Sequence, residues 1–402
     1  MKKRSVEKSG EAGIPQGFVE EMAGLPALDA VALCNALGGD SPVSIKLNRR
    51  KIAPEDVATL GYEGLKPVPW CGSGFYLPER PQFTLNPLLH AGAFYVQEAG
   101  SMAYESIVGA IADRIPEGPV LDLCAAPGGK TTSIINALPD GKWVVANEFM
   151  PKRAQILVEN LSKWGYPDLT VTNSPTSSFG KIRGSFALVA VDAPCSGEGM
   201  MRKEPVARSQ WSPGLVRQCA ALQREILEDA AEALMPGGYL IYSTCTFNLE
   251  EDEEQLRWLV EEMGLEPIEP YFPGMEGIPR QLTGNYPALR FFPHLTESEG
   301  LFCAILRKPG EGASVKEERI ARLIDKNCKV LLNRLPGKDY PRYEVDEATA
   351  LSYLRHNSLT LPAEAPRGII TLTYKGLPLG EVKNLGNRAN NLYPKEWRIR
   401  NL

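Results

Sequence analysis

The chain has 402 residues, 43% of them hydrophobic, and a formal net charge of −5. This is ordinary for a soluble globular protein of two or three domains. No apolar run near the start suits a signal peptide or a membrane span, so we expect a cytoplasmic protein without membrane contact. Eight cysteines with no Cys-x-x-Cys pair and three scattered histidines argue against a metal site and against a disulfide framework.

The charge is unevenly distributed along the chain. Residues 311–402 contain 16 Lys and Arg against 11 Asp and Glu, whereas the preceding residues are acidic. A basic C-terminal segment is able to follow a phosphate backbone locally, although chance alone would also produce such an asymmetry. The net charge therefore does not exclude nucleic acid as a partner.

The first domain is predicted to be a small α+β unit over residues 1–95. Apolar spacing predicts a helix over 18–37, and a short strand is expected over 44–48. A second helix is expected over 55–60, before a run of Pro and Gly residues that marks turns.

The second domain, 96–308, alternates strands and helices. This alternation predicts a Rossmann-like α/β fold with a doubly wound, mostly parallel sheet. The predicted strands cover 120–123, 142–146, 169–171, 186–191, 239–243 and 301–306, and the predicted helices cover 130–138, 151–164, 216–234 and 252–263. A linker over 309–313 leads to a third, small α+β domain over 314–402, with helices first and a Gly-rich strand section over 368–383.

A glycine-containing turn joins the first strand of this sheet to its helix, over residues 120–132. Glycines let a ligand approach the backbone, and the helix N-terminus offers free N–H groups. The spacing does not fit a P-loop, whose first glycine would fall at Cys124, nor G-x-G-x-x-G. Glu148 at the end of the next strand suits two ribose hydroxyls, so a nucleoside cofactor such as S-adenosylmethionine is favoured. A tight turn beside an exposed Glu148 is the alternative.

Two cysteines follow two strands of the predicted sheet. Asp192-Ala-Pro-Cys195 follows the fourth strand and Cys245 the fifth. Because carboxyl ends of parallel strands share one edge, these thiols and the carboxylate should converge near the cofactor.

This set suits methylation of cytosine carbon 5. A thiolate that adds at carbon 6 makes carbon 5 nucleophilic, and Asp192 is placed to hold or share a proton at ring nitrogen 3. Lys130 is the nearest predicted cation and is expected to orient Asp192. The second thiol would assist removal of the carbon 5 proton. Each cysteine taken alone is more often a small buried hydrophobe, which is our interpretation of the other six.

Three segments together resemble the NSUN-type RNA cytosine-C5 methyltransferases. They are Asp122-Leu-Cys-Ala-Ala-Pro-Gly-Gly-Lys130, Asp192-Ala-Pro-Cys195-Ser-Gly-x-Gly and Ser243-Thr-Cys245-Thr, and Phe94–Ser101 is also similar. The resemblance covers roughly 40–308. It implies an S-adenosylmethionine-dependent methyltransferase core that acts on cytosine carbon 5 in RNA.

The resemblance also implies roles for individual residues. Cys245 is the expected nucleophile, forming a covalent adduct with carbon 6, and Cys195 the residue that helps release the product. Asn173 stands where family members often place an Asp that accepts from the adenine amino group, and its amide oxygen is the expected substitute. The expected cofactor pocket consists of Cys124, Ala125, Ala126, Pro127, Gly128, Gly129, Lys130, Glu148 and Asp192.

The C-terminal segment resembles the RNA-binding tail of bacterial 16S ribosomal RNA methyltransferases of the RsmF type. The resemblance lies in 376–383 and 391–398, and implies ribosomal RNA or the small ribosomal subunit as partner. Lys383, Trp397 and Arg398 are the predicted RNA contacts, because interleaved aromatic and basic residues suit stacking and phosphate binding. The alternative is a β-rich domain in which Tyr393 and Trp397 belong to the core.

Arg202 and Lys203 directly follow the Cys195 motif. They are predicted to bind a substrate phosphate, and a plain exposed basic pair is the alternative.

Other functions remain open at this point. Transfer RNA is an alternative substrate. A DNA cytosine methyltransferase is disfavoured, because those enzymes use the cysteine of Pro-Cys as nucleophile and would not need Cys245. A catalytically inactive RNA-binding ribosome-assembly factor is disfavoured by the joint presence of Asp192, Cys195 and Cys245.

Overall fold

The computed structural model describes residues 13–312, 315–334 and 339–400. Its N-terminal part is a small antiparallel sheet preceded by two helices. The elements are α1 (Gln16–Ala23), α2 (Ala30–Leu37), β1 (Val43–Leu47), β2 (Lys66–Val68), β3 (Cys71–Leu77), α3 (Pro87–His90) and β4 (Phe94–Val96). The strand order is β2-β3-β1-β4.

The single helix predicted over 18–37 is wrong, because the chain forms α1 and α2 instead. Pro26 lies between them, and proline has no N–H with which to continue a helix. Asp29 then starts α2, where its side chain accepts a hydrogen bond of 2.9 Å from the N–H of Ala32. The helix predicted over 55–60 is a 3₁₀ helix, Pro54–Leu60.

The central part is an α/β unit. Its elements are α4 (Ala103–Ile111), β5 (Val120–Asp122), α5 (Gly129–Ala137), β6 (Val144–Asn147), α6 (Pro151–Trp164), β7 (Leu169–Thr172), α7 (Ser177–Gly180), β8 (Phe186–Asp192), α8 (Pro205–Gln210), α9 (Pro213–Ala233), β9 (Leu234–Thr244), α10 (Glu253–Glu261), β10 (Glu266–Ile268), β11 (Leu289–Phe291) and β12 (Leu301–Arg307). Strands β5 to β9 are parallel, in the order β9-β8-β5-β6-β7. The strand order reverses between β5 and β8. A ligand crevice therefore lies at the carboxyl ends of these two strands.

The predicted Rossmann-like, doubly wound sheet is confirmed. Strand β8 is buried almost throughout, as a central parallel strand covered by helices on both faces should be. Helix α6 has Pro151 in its first turn and ends at Gly165, whose φ of 78° is left-handed. Strand β9 begins earlier than predicted, because Pro236-Gly237-Gly238 lies within the strand and not in a turn before it.

The remaining elements are α11 (Glu317–Asn327), β13 (Val330–Leu332), β14 (Arg342–Glu344), α12 (Glu347–Leu354), β15 (Gly368–Tyr374), β16 (Leu377–Asn384) and β17 (Ala389–Asn391). Strand β13 pairs antiparallel with β7 and so extends the central sheet. Strands β14 to β17 form a separate sheet in chain order. The division into 1–95, 96–308 and 314–402 stays a prediction.

Within the described ranges, no helix has the length and apolar character needed to cross a bilayer.

Candidate functional site

Two thiols lie together at the crevice edge of the sheet. Cys195 follows β8 and Cys245 follows β9, and their Sγ atoms are 3.2 Å apart. The two strands are in register up to Asp192 and Ser243, so the loops start side by side. The Cys245 sulfur, together with burial, raises the pKa of the Cys195 thiol well above its usual range. Cys195 therefore keeps its proton at neutral pH.

A lysine and a carboxylate form an ion pair beside the thiols. Lys130 Nζ lies 2.8 Å from Asp192 Oδ2, and the Ser243 hydroxyl donates to Asp192 Oδ1 at 2.9 Å. Burial disfavours the charge on Lys130, but Asp192 more than offsets this, so the Lys130 pKa is raised. Cys245 also interacts electrostatically with Lys130. The structure thus brings together the four side chains predicted to be catalytic.

The loop predicted to hold the cofactor lies across the ends of β5 and β6. The N–H of Ala125 donates to Asn147 O, and the N–H of Gly128 donates to Ala125 O, each at 2.8 Å. Gly128 has a φ of 110°, and a Cβ there would lie 3.2 Å from Leu157. This position therefore requires glycine for α5 to begin where it does.

A fully buried carboxyl group lies beneath the loop. The Thr131 hydroxyl donates to Asp122 Oδ2 at 2.6 Å. Asp122 Oδ1 has no hydrogen-bond partner among the residues that the structure describes. Burial raises the pKa of Asp122 to about 7.

Glu148 and Asn173 lie at the ends of β6 and β7. Glu148 is buried, not exposed, and accepts from the N–H of Met150 at 2.7 Å, with Arg153 Nη1 3.5 Å away. Asn173 donates through Nδ2 to the carbonyls of Glu148 and Phe149, each at 2.8 Å. Its amide nitrogen thus holds the segment after β6, and its contact with adenine stays a prediction.

Two buried carboxylates that the sequence reasoning missed hold the cysteine loops. Glu251 accepts from the N–H of Ser196 at 3.0 Å and from Gln223 at 2.8 Å. Glu198 accepts from the N–H of Phe247 at 2.6 Å and from Trp211 at 3.0 Å. Burial raises the pKa of both, that of Glu198 to about 7. Glu198 occupies the variable position of the Gly-x-Gly sequence that follows Cys195. A charged residue at this position of the motif was the sequence signal that could have indicated its role.

The basic pair after Cys195 contacts the chain's own loop. Arg202 donates to Ser298 O at 3.2 Å, and Lys203 Nζ lies 3.2 Å from Glu299 Oε1. These contacts join the Cys195 segment to the loop before β12. A role for either side chain in binding phosphate stays a prediction.

The residues predicted to bind RNA in the C-terminal part are all at least partly accessible. Lys383 and Arg398 are exposed and Trp397 is half-buried. Tyr393 is 4% exposed and belongs to the core, as in the alternative interpretation. The Trp397 ring packs 6.1 Å from that of Tyr393, with Lys163 Nζ of α6 5.9 Å from its centroid.

Comparison with known proteins agrees with this architecture. The family model described as 16S rRNA methyltransferase RsmB/F matches residues 111–307. Models for the N-terminal domain of 16S rRNA methyltransferase RsmF and for the methyltransferase RsmF PUA domain match 14–99 and 340–399.

Curated relatives carry the name ribosomal RNA small subunit methyltransferase F. The Cronobacter sakazakii protein is 38% identical over 74% of this chain and 64% of its own length. The protein of Pectobacterium carotovorum subsp. carotovorum is 35% identical over 80% of this chain and 69% of its own length. The chain spans less than two thirds of the length of the first of these relatives.

Solved structures share the fold. A methyltransferase homolog protein from Pyrococcus horikoshii is 28% identical, with a TM-score of 0.63 over 74% of this chain and 96% of its own. NSun6 from Pyrococcus horikoshii with SFG superposes with a TM-score of 0.62 at 20% identity, over 75% of this chain and all of its own.

The sheet order and the crevice define a Rossmann-like methyltransferase fold, flanked by an N-terminal domain and a C-terminal PUA domain. The chain belongs to the 16S rRNA methyltransferase RsmB/F family.

Proposed function

We propose that the protein methylates carbon 5 of cytosine in 16S ribosomal RNA, using S-adenosylmethionine. The observation that carries this proposal is the 3.2 Å contact between the sulfurs of Cys195 and Cys245, beside the Lys130–Asp192 pair. A pyrimidine whose carbon 5 must be activated needs a nucleophilic sulfur, and removal of a proton from that carbon afterwards. The names of the curated relatives support small-subunit ribosomal RNA as the substrate.

Cys245 is the proposed nucleophile. Its sulfur lies 3.2 Å from that of Cys195, the thiol proposed to act after methyl transfer. Lys130 lies close enough to interact electrostatically with Cys245. The thiolate forms a bond to carbon 6, while nitrogen 3, where negative charge develops, takes a proton from the Lys130–Asp192 pair, in which the Lys130 ammonium is the proton source and Asp192 relays the proton.

The crevice has features that fit S-adenosylmethionine, which when bound supplies an electrophilic methyl group. Asp122 Oδ1, unpartnered among the described residues, would accept from the cofactor's amino group. The backbone from Cys124 to Lys130 would hold the methionine part, Glu148 the ribose hydroxyls and Asn173 the adenine.

Cys195 would act after methyl transfer. Its sulfur lies 3.2 Å from that of Cys245, so it stays close to the ring after Cys245 has bound carbon 6, and it first loses its own proton to solvent. Its thiolate then removes the carbon 5 proton. The electrons of that C–H bond form the carbon 5–carbon 6 double bond, and Cys245 leaves as a thiolate.

Substitution of the two thiols tests this assignment. We expect Cys245→Ala to abolish methyl transfer from labelled S-adenosylmethionine to 16S RNA. Cys195→Ala should instead accumulate a covalent protein–RNA adduct, seen as a slow band on a denaturing gel. Cys34→Ala, on α2 in the N-terminal part, is the matched control and should turn over like the wild type. An adduct with Cys245→Ala but none with Cys195→Ala would reverse the two roles.

Two alternatives are tested by two further measurements. Methyl incorporation into transfer RNA but not ribosomal RNA would identify a transfer RNA enzyme. Absence of S-adenosylmethionine binding by calorimetry would favour an inactive assembly factor.

The proposal also includes contacts with RNA and action in the cytoplasm, where ribosomal subunits are found. The residues proposed to contact RNA are Arg202, Lys203, Lys383, Trp397 and Arg398.

A further inference from the structure

A cavity of about 570 Å³ lies where the three parts of the chain meet. Strand β4 contributes Tyr95, helix α6 contributes Asn160 and Lys163, and the C-terminal segment contributes Trp397. None of the four proposed catalytic residues lines it, so it is a second site. Its volume falls within the roughly 300–1,000 Å³ of small-molecule sites.

Positive charges outnumber negative charges in the lining. The lining contains three cations, Lys163, Arg398 and Arg400, and two acids, Glu159 and Glu396. Lys163 Nζ already pairs with Glu159 at 2.5 Å. Within the part of the chain that the structure describes, Arg398 and Arg400 form no ion pair, and both are exposed. Two guanidinium groups are thus available to a phosphate, which they bind well through planar N–H pairs.

The cavity also offers aromatic surface. Trp397 is half-buried between Lys163 and the core residue Tyr393, which fixes its ring at the cavity wall. Tyr95 is half-buried in the opposite element, β4. An aromatic wall beside two exposed arginines suits a group with a flat ring and a phosphate, which is a nucleotide.

The cavity wall is connected to the loop of the proposed cofactor site. The Tyr95 hydroxyl donates to Pro127 O at 3.3 Å, and Asn160 Nδ2 donates to the same carbonyl at 2.8 Å. Asn160 Nδ2 also donates to the Tyr95 hydroxyl at 3.2 Å. A ligand in the cavity would thus contact two side chains that hold the loop.

We propose that this cavity binds one nucleotide of the substrate RNA, and that this nucleotide is not the target cytosine. The base would stack on Trp397, and the phosphate would bind Arg398 and Arg400. This inference rests on the proposed function, because it takes RNA as the substrate. It adds a nucleotide pocket that all three parts of the chain build.

Photocrosslinking with the full chain tests the pocket directly. A 16S RNA transcript containing 4-thiouridine is irradiated with the protein, and crosslinked peptides are mapped by mass spectrometry. We expect a crosslink within residues 395–400 or at Tyr95. Crosslinks confined to other segments would overturn the proposal.

Steady-state kinetics provide the second arm. We expect Trp397→Leu and the double variant Arg398→Ala/Arg400→Ala each to raise the KM for RNA about fivefold or more, with S-adenosylmethionine affinity unchanged. Trp397→Phe should restore most of the KM, because it keeps an aromatic ring. Arg388→Ala, exposed in the same domain but outside the cavity, is the control. An equal rise in the KM for RNA with Arg388→Ala would indicate general electrostatic attraction to RNA, and it would overturn the proposed nucleotide pocket.

Two further outcomes separate this inference from the proposed function. A wild-type protein that crosslinks at the pocket but transfers no methyl group contradicts the proposed function and supports the pocket. Calorimetry with cytidine monophosphate identifies a site for free nucleotides. Tight binding there without any crosslink to RNA would overturn the assignment to RNA.

Discussion

The protonation of Asp122 depends on the fold. It is fully buried, only one of its two oxygens has a partner among the described residues, and its pKa is about 7 instead of 3.8. The folded protein therefore binds a proton at this position across a range in which the unfolded chain has lost it. The contribution of this carboxyl to stability is complete below about pH 4 and is lost as the pH rises to about 7.

Asp122→Asn should remove this pH dependence. Asparagine keeps an acceptor for Thr131 and cannot ionise, so the variant should gain stability relative to the wild type between pH 4 and 7. We expect a relative change of roughly 2–4 kcal/mol in the free energy of unfolding. Urea titrations at several pH values measure it, with the exposed Asp113→Asn as control. A constant difference between variant and wild type across this range would contradict the prediction.

The sequence predicted that Cys195, Cys245, Asp192 and Lys130 would lie close together. This worked because strand ends define one edge of a parallel sheet. Glu198 and Glu251 were missed because their partners are backbone N–H groups and amides of other loops, which become neighbours only after folding. A buried carboxylate of this kind has no spacing rule in the sequence.

At the element scale, β1 is connected to α5 by a buried lysine. Lys46 Nζ donates to Gly129 O at 3.0 Å and to the Thr132 hydroxyl at 2.8 Å. The side chain is 0% exposed, and burial lowers its pKa to about 7. The N-terminal sheet thus holds the first turn of the helix that follows the glycine loop.

Lys46→Met should loosen this turn. Methionine fills similar volume without a donor, so Gly129 O and Thr132 lose a hydrogen bond inside the protein. We expect the free energy of unfolding to fall by about 1–2 kcal/mol and S-adenosylmethionine to bind several-fold more weakly. Lys66→Met, at an exposed position of β2, is the matched control. Unchanged cofactor affinity by calorimetry would show that β1 does not support the loop.

Elements were predictable where local signals and packing agreed. Helix α6 was predicted to the residue, since Pro151 and Gly165 mark its two ends. The division between α1 and α2 was missed because the apolar spacing continues across Pro26. Strand β13 was not predicted, because three residues carry no periodic signal and their strand conformation depends on pairing with β7.

At the scale of the whole molecule, residues 317–332 complete the central sheet although they follow the predicted boundary at 314. Ile320 and Ile324 of α11 are fully buried against the same core as the sheet. Strand β13 covers the edge of β7, which would otherwise offer unpaired backbone groups to other chains.

Two truncations test this structural role. A chain of residues 1–334 keeps α11 and β13, whereas a chain of residues 1–312 lacks both. We expect the shorter chain to lose several kcal/mol of stability, at roughly 1.5–3 kcal/mol for each buried isoleucine, and to aggregate through β7. Thermal unfolding and size-exclusion chromatography compare the two, and both lack the C-terminal sheet. Equal stability would mean that the central sheet does not need this segment.

The 3.2 Å approach of Cys195 and Cys245 also has a chemical consequence under oxidative stress. Hydrogen peroxide converts a thiolate to a sulfenic acid; the neighbouring thiol then attacks the oxidised sulfur, the S–O bond breaks, and the hydroxyl leaves as water while the disulfide forms. Closing the gap to a bonded distance requires a movement of only about 1 Å. We expect peroxide to stop turnover and to lower the mass of the intact protein by that of two hydrogen atoms. Dithiothreitol should restore turnover. Inactivation that dithiothreitol cannot reverse would exclude this bond. The same proximity that lets one sulfur assist the other would then protect both from irreversible oxidation.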